Sequence, residues 1–160
     1  MTKEQALTGL AESRQALHQA LDGLSTEEMT QVQVEGVWTI KDVVGHITSW
    51  EEVALRPLRR YADGDPFGTD VIEDYLTWND EQAALKQDIP LNAILDEATT
   101  IREELVATAN RLSAEQWEQK VTFPWGGTGT LAEVLGGLAW HEKEHIETIQ
   151  RWRQGGKKTE

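Results

Sequence analysis

The chain has 160 residues, no cysteine, and 28 Asp and Glu against 15 Lys and Arg, for a formal charge of -13 at pH 7. The length matches one domain able to remove well over half of its unfolded surface from water, and the missing cysteine excludes a disulfide-stapled module, a thiolate zinc finger and a cysteine nucleophile of the chain's own. The acidic balance argues against nucleic acid or an anionic membrane as a partner.

The first residues, MTKEQALTGLAESRQ, lack the basic start and apolar run of a signal peptide, so a cytoplasmic location is expected. Leu7, Leu10, Leu17, Leu21 and Leu24 recur at spacings of three, four and seven, which predicts a first helix from about Lys3 to Asp22, with Gly23 supplying a left-handed stop. LSTEEM follows, with capping-box spacing between Ser25 and Glu28, and predicts a short helical turn before an extended stretch from Gln31 to Trp38. Thr39 is placed to cap a second helix, whose stripe Ile40, Val43, Val44, Ile47, Trp50, Ala54 and Leu58 runs to about Tyr61, with a kink expected at Pro57.

The punctuation from Asp63 to Gly68 ends that helix. Residues Val71 to Gln87 read as helical but polar, which suits a crossover lying over the bundle. Pro90 opens a third helix carrying Ile94, Leu95, Ala98, Ile101, Leu105 and Leu112 and ending near Arg111. LSAEQW then echoes LSTEEM, again leading through a loop to a Thr-capped helix; the echo fits either an internal duplication or chance reuse of a common turn. The fourth helix begins after Thr130, carries Leu131, Val134, Leu135, Leu138, Ile146, Ile149 and Trp152, and stops at Gly155-Gly156; residues 155–160 are expected to fray.

Four long amphipathic helices and no convincing strand predict an all-α four-helix bundle spanning residues 1–160 as one domain, and such bundles place their metals in the core. His141 and His145 lie one turn apart on the inward face of helix four, and His46 borders the apolar stripe of helix two. A single inward histidine fits a hydrogen-bonded core residue or a ligand. A pair at i and i+4 strengthens the second choice, because two buried imidazoles cost stability that a metal would restore. His18 lies off the leucine stripe and is expected at the surface. The letters HEKEH also fit the pattern H-E-x-x-H, but no third ligand follows downstream, and Glu142, about 100° around the helix from His141, is expected to be solvated. The clusters Arg56, Arg59, Arg60 and Arg151, Arg153, Lys157, Lys158 read as solvated charge.

WTIKDVVGHITSWEE, from Trp38 to Glu52, and WHEKEH, from Trp140 to His145, resemble the second and fourth helices of the DinB-like superfamily of metal-binding four-helix bundles, and the Trp78-Asn79 pair adds to the likeness. That superfamily includes thiol-dependent S-transferases, mycothiol-dependent maleylpyruvate isomerases and ClbS/DfsB proteins. The resemblance covers nearly the whole chain and implies up-down-down-up connectivity, a long crossover between helices two and three, His46, His141 and His145 as metal ligands, and often a homodimer. Three imidazoles with an open coordination position suit zinc, nickel or a similar divalent ion, and the open position could take water or an external low-molecular-weight thiol. Glu51 is a candidate catalytic base or an acceptor behind a ligand, or else a charge at the rim. The expected function is a metal-dependent enzyme of thiol S-transferase or hydrolase type acting on a small electrophilic molecule. The alternatives are a non-catalytic protein that sequesters such a molecule in a Trp-lined cavity, and a helical dimerisation module.

Overall fold

In the computed structural model, which describes residues 1–155, the elements run α1 (Lys3–Leu21), α2 (Thr26–Gln31), β1 (Gln33–Glu35), β2 (Trp38–Thr39), α3 (Ile40–Ala62), α4 (Tyr75–Lys86), α5 (Leu91–Ala109), α6 (Ala114–Glu118), β3 (Val121–Thr122), β4 (Thr128–Gly129) and α7 (Leu131–Gln154). Helices α2, α3, α6 and α7 begin where their Ser and Thr caps predict. Thr2, Ser25, Thr39 and Ser113 each accept from the backbone N–H three residues on, and the residue there returns the bond, so orphan donors are satisfied in pairs.

Helix α1 packs chiefly on α7, and α3 on α5. Arg14 meets Glu142 and Arg153 donates to the carbonyl of Ala20, so α1 and α7 run the same way; Glu51 meets Arg102 and Arg59 meets Glu104, so α3 and α5 do too. The result is an up-down-down-up bundle, and α4 lies in the crossover from α3 to α5. Trp78 of α4 packs on the core, while Tyr75 and Leu85 stay exposed. Pro57 sits inside α3 with its ring buried, and the helix continues through it to Ala62.

The expectation of no strand needs correction. Two antiparallel hairpins, β1 with β2 and β3 with β4, fill the loops before α3 and α7. Each is too short to leave a periodic signal. In the first, Gly36 at φ 58° allows the turn, and Glu35 comes to lie opposite Trp38.

The apolar core divides into two clusters, one around Leu10, Leu58, Leu105 and Leu135 and the other around Leu17, Ile40, Ile94 and Ile149. Four charged side chains lie buried in the same interior. Arg102 donates from Nε to Glu51 Oε1 at 2.7 Å and from Nη2 to Glu142 Oε1 at 2.9 Å; Arg14 donates from Nε to Glu142 Oε2 at 2.8 Å and from Nη2 to Glu51 Oε2 at 3.2 Å. Ser13 Oγ donates to Glu142 Oε1 at 2.5 Å. Two positive and two negative charges balance, which is how a bundle tolerates ions at such depth. Glu142 is therefore not the solvated carboxylate that its angle around α7 suggests: it is fully buried, because arginines from α1 and α5 reach across to it. The surface expectations for His18, Arg56, Arg59, Arg60 and Arg151 hold, whereas Arg153 is half-buried and donates to the carbonyls of Ala20 and Asp22; Lys157 and Lys158 lie outside the described residues. No helix of the described residues is long and apolar enough to cross a membrane. Beyond Gly155 the expected frayed tail lies outside the described residues.

Candidate metal centre

Three helical positions and one hairpin build the site. Val43, Val44 and Ile47 bury one face of α3 and carry His46 inward with them; Leu138 and Ile146 do the same for His141 and His145 on α7. The structure brings the three rings together. His46 Nε2 lies 2.9 Å from His141 Nε2, which lies 3.1 Å from His145 Nε2, and the three candidate ligand atoms fall within 4.8 Å of one another. His46 is buried, and the other two are half-buried.

From β1, Glu35 places its Oε1 2.9 Å from Nδ1 of His145. A carboxylate there accepts the Nδ1 proton, which leaves the Nε2 lone pair of His145 facing His141. Trp38 of β2 covers His46, ring centroid to ring centroid at 4.6 Å. Sequence reasoning missed Glu35; the available signal was Gly36-Val37, a two-residue turn that sets its flanking residues face to face.

The donor set fits a divalent cation. Each Nε2 holds either one proton or one lone pair, so His141 cannot fully satisfy two ring nitrogens at about 3 Å at once, whereas a cation accepts all three lone pairs together. Burial, reinforced by the neighbouring imidazoles, pushes His46 down to about 2 and His141 down to about 4. Both rings are thus neutral at pH 7, the form that ligates metal. Burial would raise the Glu35 carboxyl, but the hydrogen bond and charge of His145 outweigh it and hold it below the usual range.

The histidines form one end of a chamber of about 570 Å³. Trp38, Trp50, Trp125, Trp140 and Tyr75 line it as well. Trp125 presses on Gly137, where an added Cβ would come within 2.8 Å of its ring. That glycine makes room for the indole.

Glu51 does not join this group. It is 1% exposed, both its oxygens are taken by Arg102 and Arg14, and it does not line the chamber. Burial pushes its carboxyl up against the pull of those arginines; in Glu142, the arginines and Ser13 outweigh burial and hold the carboxyl down.

The sequence profile of the DinB superfamily matches residues 10–149. The chain belongs to the DinB superfamily. A protein of Oceanobacillus iheyensis named as a candidate metal-dependent hydrolase is 26% identical over 136 residues, covering 84% of this chain and 75% of that one. Among solved structures, this superfamily member is similar to the colibactin self-resistance protein ClbS in complex with double-stranded DNA, with a TM-score of 0.79, 14% identity and 96% of each chain covered. YfiT from Bacillus subtilis, described as a candidate metal-dependent hydrolase with an unusual four-helix bundle topology, gives a TM-score of 0.74 at 19% identity over 98% of this chain and 90% of its own. The mycothiol-dependent maleylpyruvate isomerase gives 0.76 at 17% identity, and this chain, 93% covered, spans only 61% of it. Because ClbS has been solved with DNA, the fold alone does not exclude nucleic acid. For this chain that expectation rests on its charge of -13.

Proposed function

We propose that this protein is a metal-dependent enzyme, of hydrolase or thiol S-transferase type, acting on a small electrophilic molecule held in the Trp-lined chamber. The convergence of the three Nε2 atoms at one end of that chamber carries the proposal. His46, His141 and His145 would hold the ion, zinc or nickel by the borderline softness of imidazole nitrogen. Such an ion supplies Lewis acidity, which lowers the pKa of a water or external thiol that reaches it. Glu35 fixes the tautomer and direction of His145, and Trp38 shields His46 from solvent. The aromatic walls exclude water from the reacting end and orient the electrophile. Glu51 serves the ion network rather than the reaction. The hydrolase half of the proposal is supported by the name of the Oceanobacillus iheyensis relative, and the thiol half by the absence of cysteine in the chain. A cytoplasmic location and a homodimer belong to the same reading, the homodimer supported by the superfamily resemblance.

Chelator-stripped protein should be assayed for hydrolysis of 4-nitrophenyl acetate and for coupling of 1-chloro-2,4-dinitrobenzene to a low-molecular-weight thiol, before and after zinc or nickel is restored. Activity that returns with metal and is lost in His46→Ala supports the proposal, and thiol dependence separates its two halves. Activity indifferent to both chelation and His46→Ala would contradict it. The chamber itself favours one other reading, sequestration without turnover, under which His46→Ala leaves ligand binding and protection intact.

A further inference from the structure

The chamber's wall says more about its occupant than the histidines do. Among the described residues that line it, none is a lysine or arginine, and the one carboxylate, Glu35, is engaged by His145. Lys86 is near enough for its charge to bear on His46, but its ammonium is tied to the carbonyl of Gly45 and to Glu52 and Glu97, and it does not line the space. An anionic group away from the histidine end would be buried among aromatic faces with no partner, a costly arrangement.

The aromatic surfaces are held in fixed poses. Trp50 packs on Trp78 with ring centroids 4.6 Å apart, and Phe123 backs Trp125 at 5.5 Å. Trp125 stands edge-on to Trp50 at 6.5 Å. Trp140 is 63% exposed and Tyr75 53% exposed, and both line the same space, so they lie where it meets solvent. Flat apolar surfaces running from solvent to the histidines suit a flat apolar guest.

One uncharged polar side chain breaks the aromatic wall. Asn79 Oδ1 accepts from Trp50 Nε1 at 3.0 Å, which orients the amide and assigns its NH2 to the other side. That NH2 has no protein partner among the described residues, and Asn79 lines the chamber. The donor is available to a ligand.

We infer that the chamber selects an uncharged aromatic substrate carrying a hydrogen-bond acceptor, such as a carbonyl, nitro or ether oxygen, for Asn79, with its reactive end toward the histidines. This rests on the proposed enzymatic reading for the word substrate. The recognition itself is a property of the wall, so it is tested in metal-free protein.

Isothermal calorimetry on full-length, chelator-stripped protein would compare 4-nitroanisole, 4-nitrobenzoate and p-xylene. Saturable binding of 4-nitroanisole is expected, with 4-nitrobenzoate weaker by about tenfold or more, the penalty of an unpaired buried charge. Asn79→Asp keeps an acceptor for Trp50 and removes the donor; it should weaken 4-nitroanisole by about tenfold and leave p-xylene unchanged. If that variant does not fold, Gly137→Ala tests the wall instead: its added methyl displaces Trp125, and affinity for both neutral probes should fall. Equal or tighter binding of 4-nitrobenzoate, an unchanged affinity in Asn79→Asp, or the absence of saturable binding by any probe would overturn the inference. Metal content, measured separately, would be untouched by those outcomes, so failure here is distinct from failure of the metal site.

Discussion

Both ring nitrogens of His145 have a designated neighbour, Glu35 at Nδ1 and His141 at Nε2, whereas the buried Nδ1 of His46 has no partner among the described residues. Glu35 is therefore predicted to tune the site. Glu35→Gln should weaken zinc binding by about 10- to 100-fold in a chelator competition titration, with the circular dichroism spectrum unchanged. The lowered values for His46 and His141 also give the metal-free protein a definite response to acid. Between pH 6.5 and about 4 the unfolded chain binds protons at these rings that the folded chain refuses. Stability should therefore drop as pH falls through that window, by about 1.4 kcal/mol per pH unit for each ring, as read by urea denaturation. A flat profile would contradict the neutral buried pair. The three histidines were legible in the sequence because spacing on a helix fixes which face a residue shares. Glu35 was not, because its position depends on a hairpin register set by Gly36. Glu51 and Glu142 were misplaced for a related reason: periodicity gives a direction, but the arginines that make their burial tolerable come from other helices.

At the level of elements, the fold is assembled twice. Long helix, short capped helix, hairpin and Thr-capped long helix occur in α1 to α3 and again in α5 to α7. The buried ions repeat the relation: Arg14 Nη1 donates to the carbonyl of Ala98 at 2.9 Å, four residues before Arg102, and Arg102 Nη1 donates to the carbonyl of Leu10 at 2.7 Å, four residues before Arg14. The echo of LSTEEM in LSAEQW thus marks corresponding parts of two similar halves. Because Glu51 compensates both arginines, Glu51→Ala should cost about 3–5 kcal/mol in urea denaturation, as expected for a broken buried ion pair. A stable variant that loses only turnover would instead make Glu51 a catalytic group. Thr39→Ala should cost about 1 kcal/mol by removing the cap of the helix that carries His46.

For the molecule as a whole, helix count, order and crossover were legible in the sequence because each depends on patterns of ten residues or more, while the hairpins and the charged interior were not. The charge of -13 sets a general expectation about partners, and the chamber, with five aromatic side chains and no lysine or arginine among the described residues that line it, sets a narrower one. The histidines join α3 to α7, which make few direct contacts compared with the α1–α7 and α3–α5 pairs, so an ion there would tie the α1–α7 pair to the α3–α5 pair. Elemental analysis of protein purified without a nickel column, paired with melting curves in added zinc, nickel or manganese, tests this most directly. The account predicts about one divalent ion per chain, a higher Tm on reconstituting stripped protein, and loss of both in His141→Ala. Wild-type protein that holds only trace metal and melts at the same temperature with every ion would contradict it.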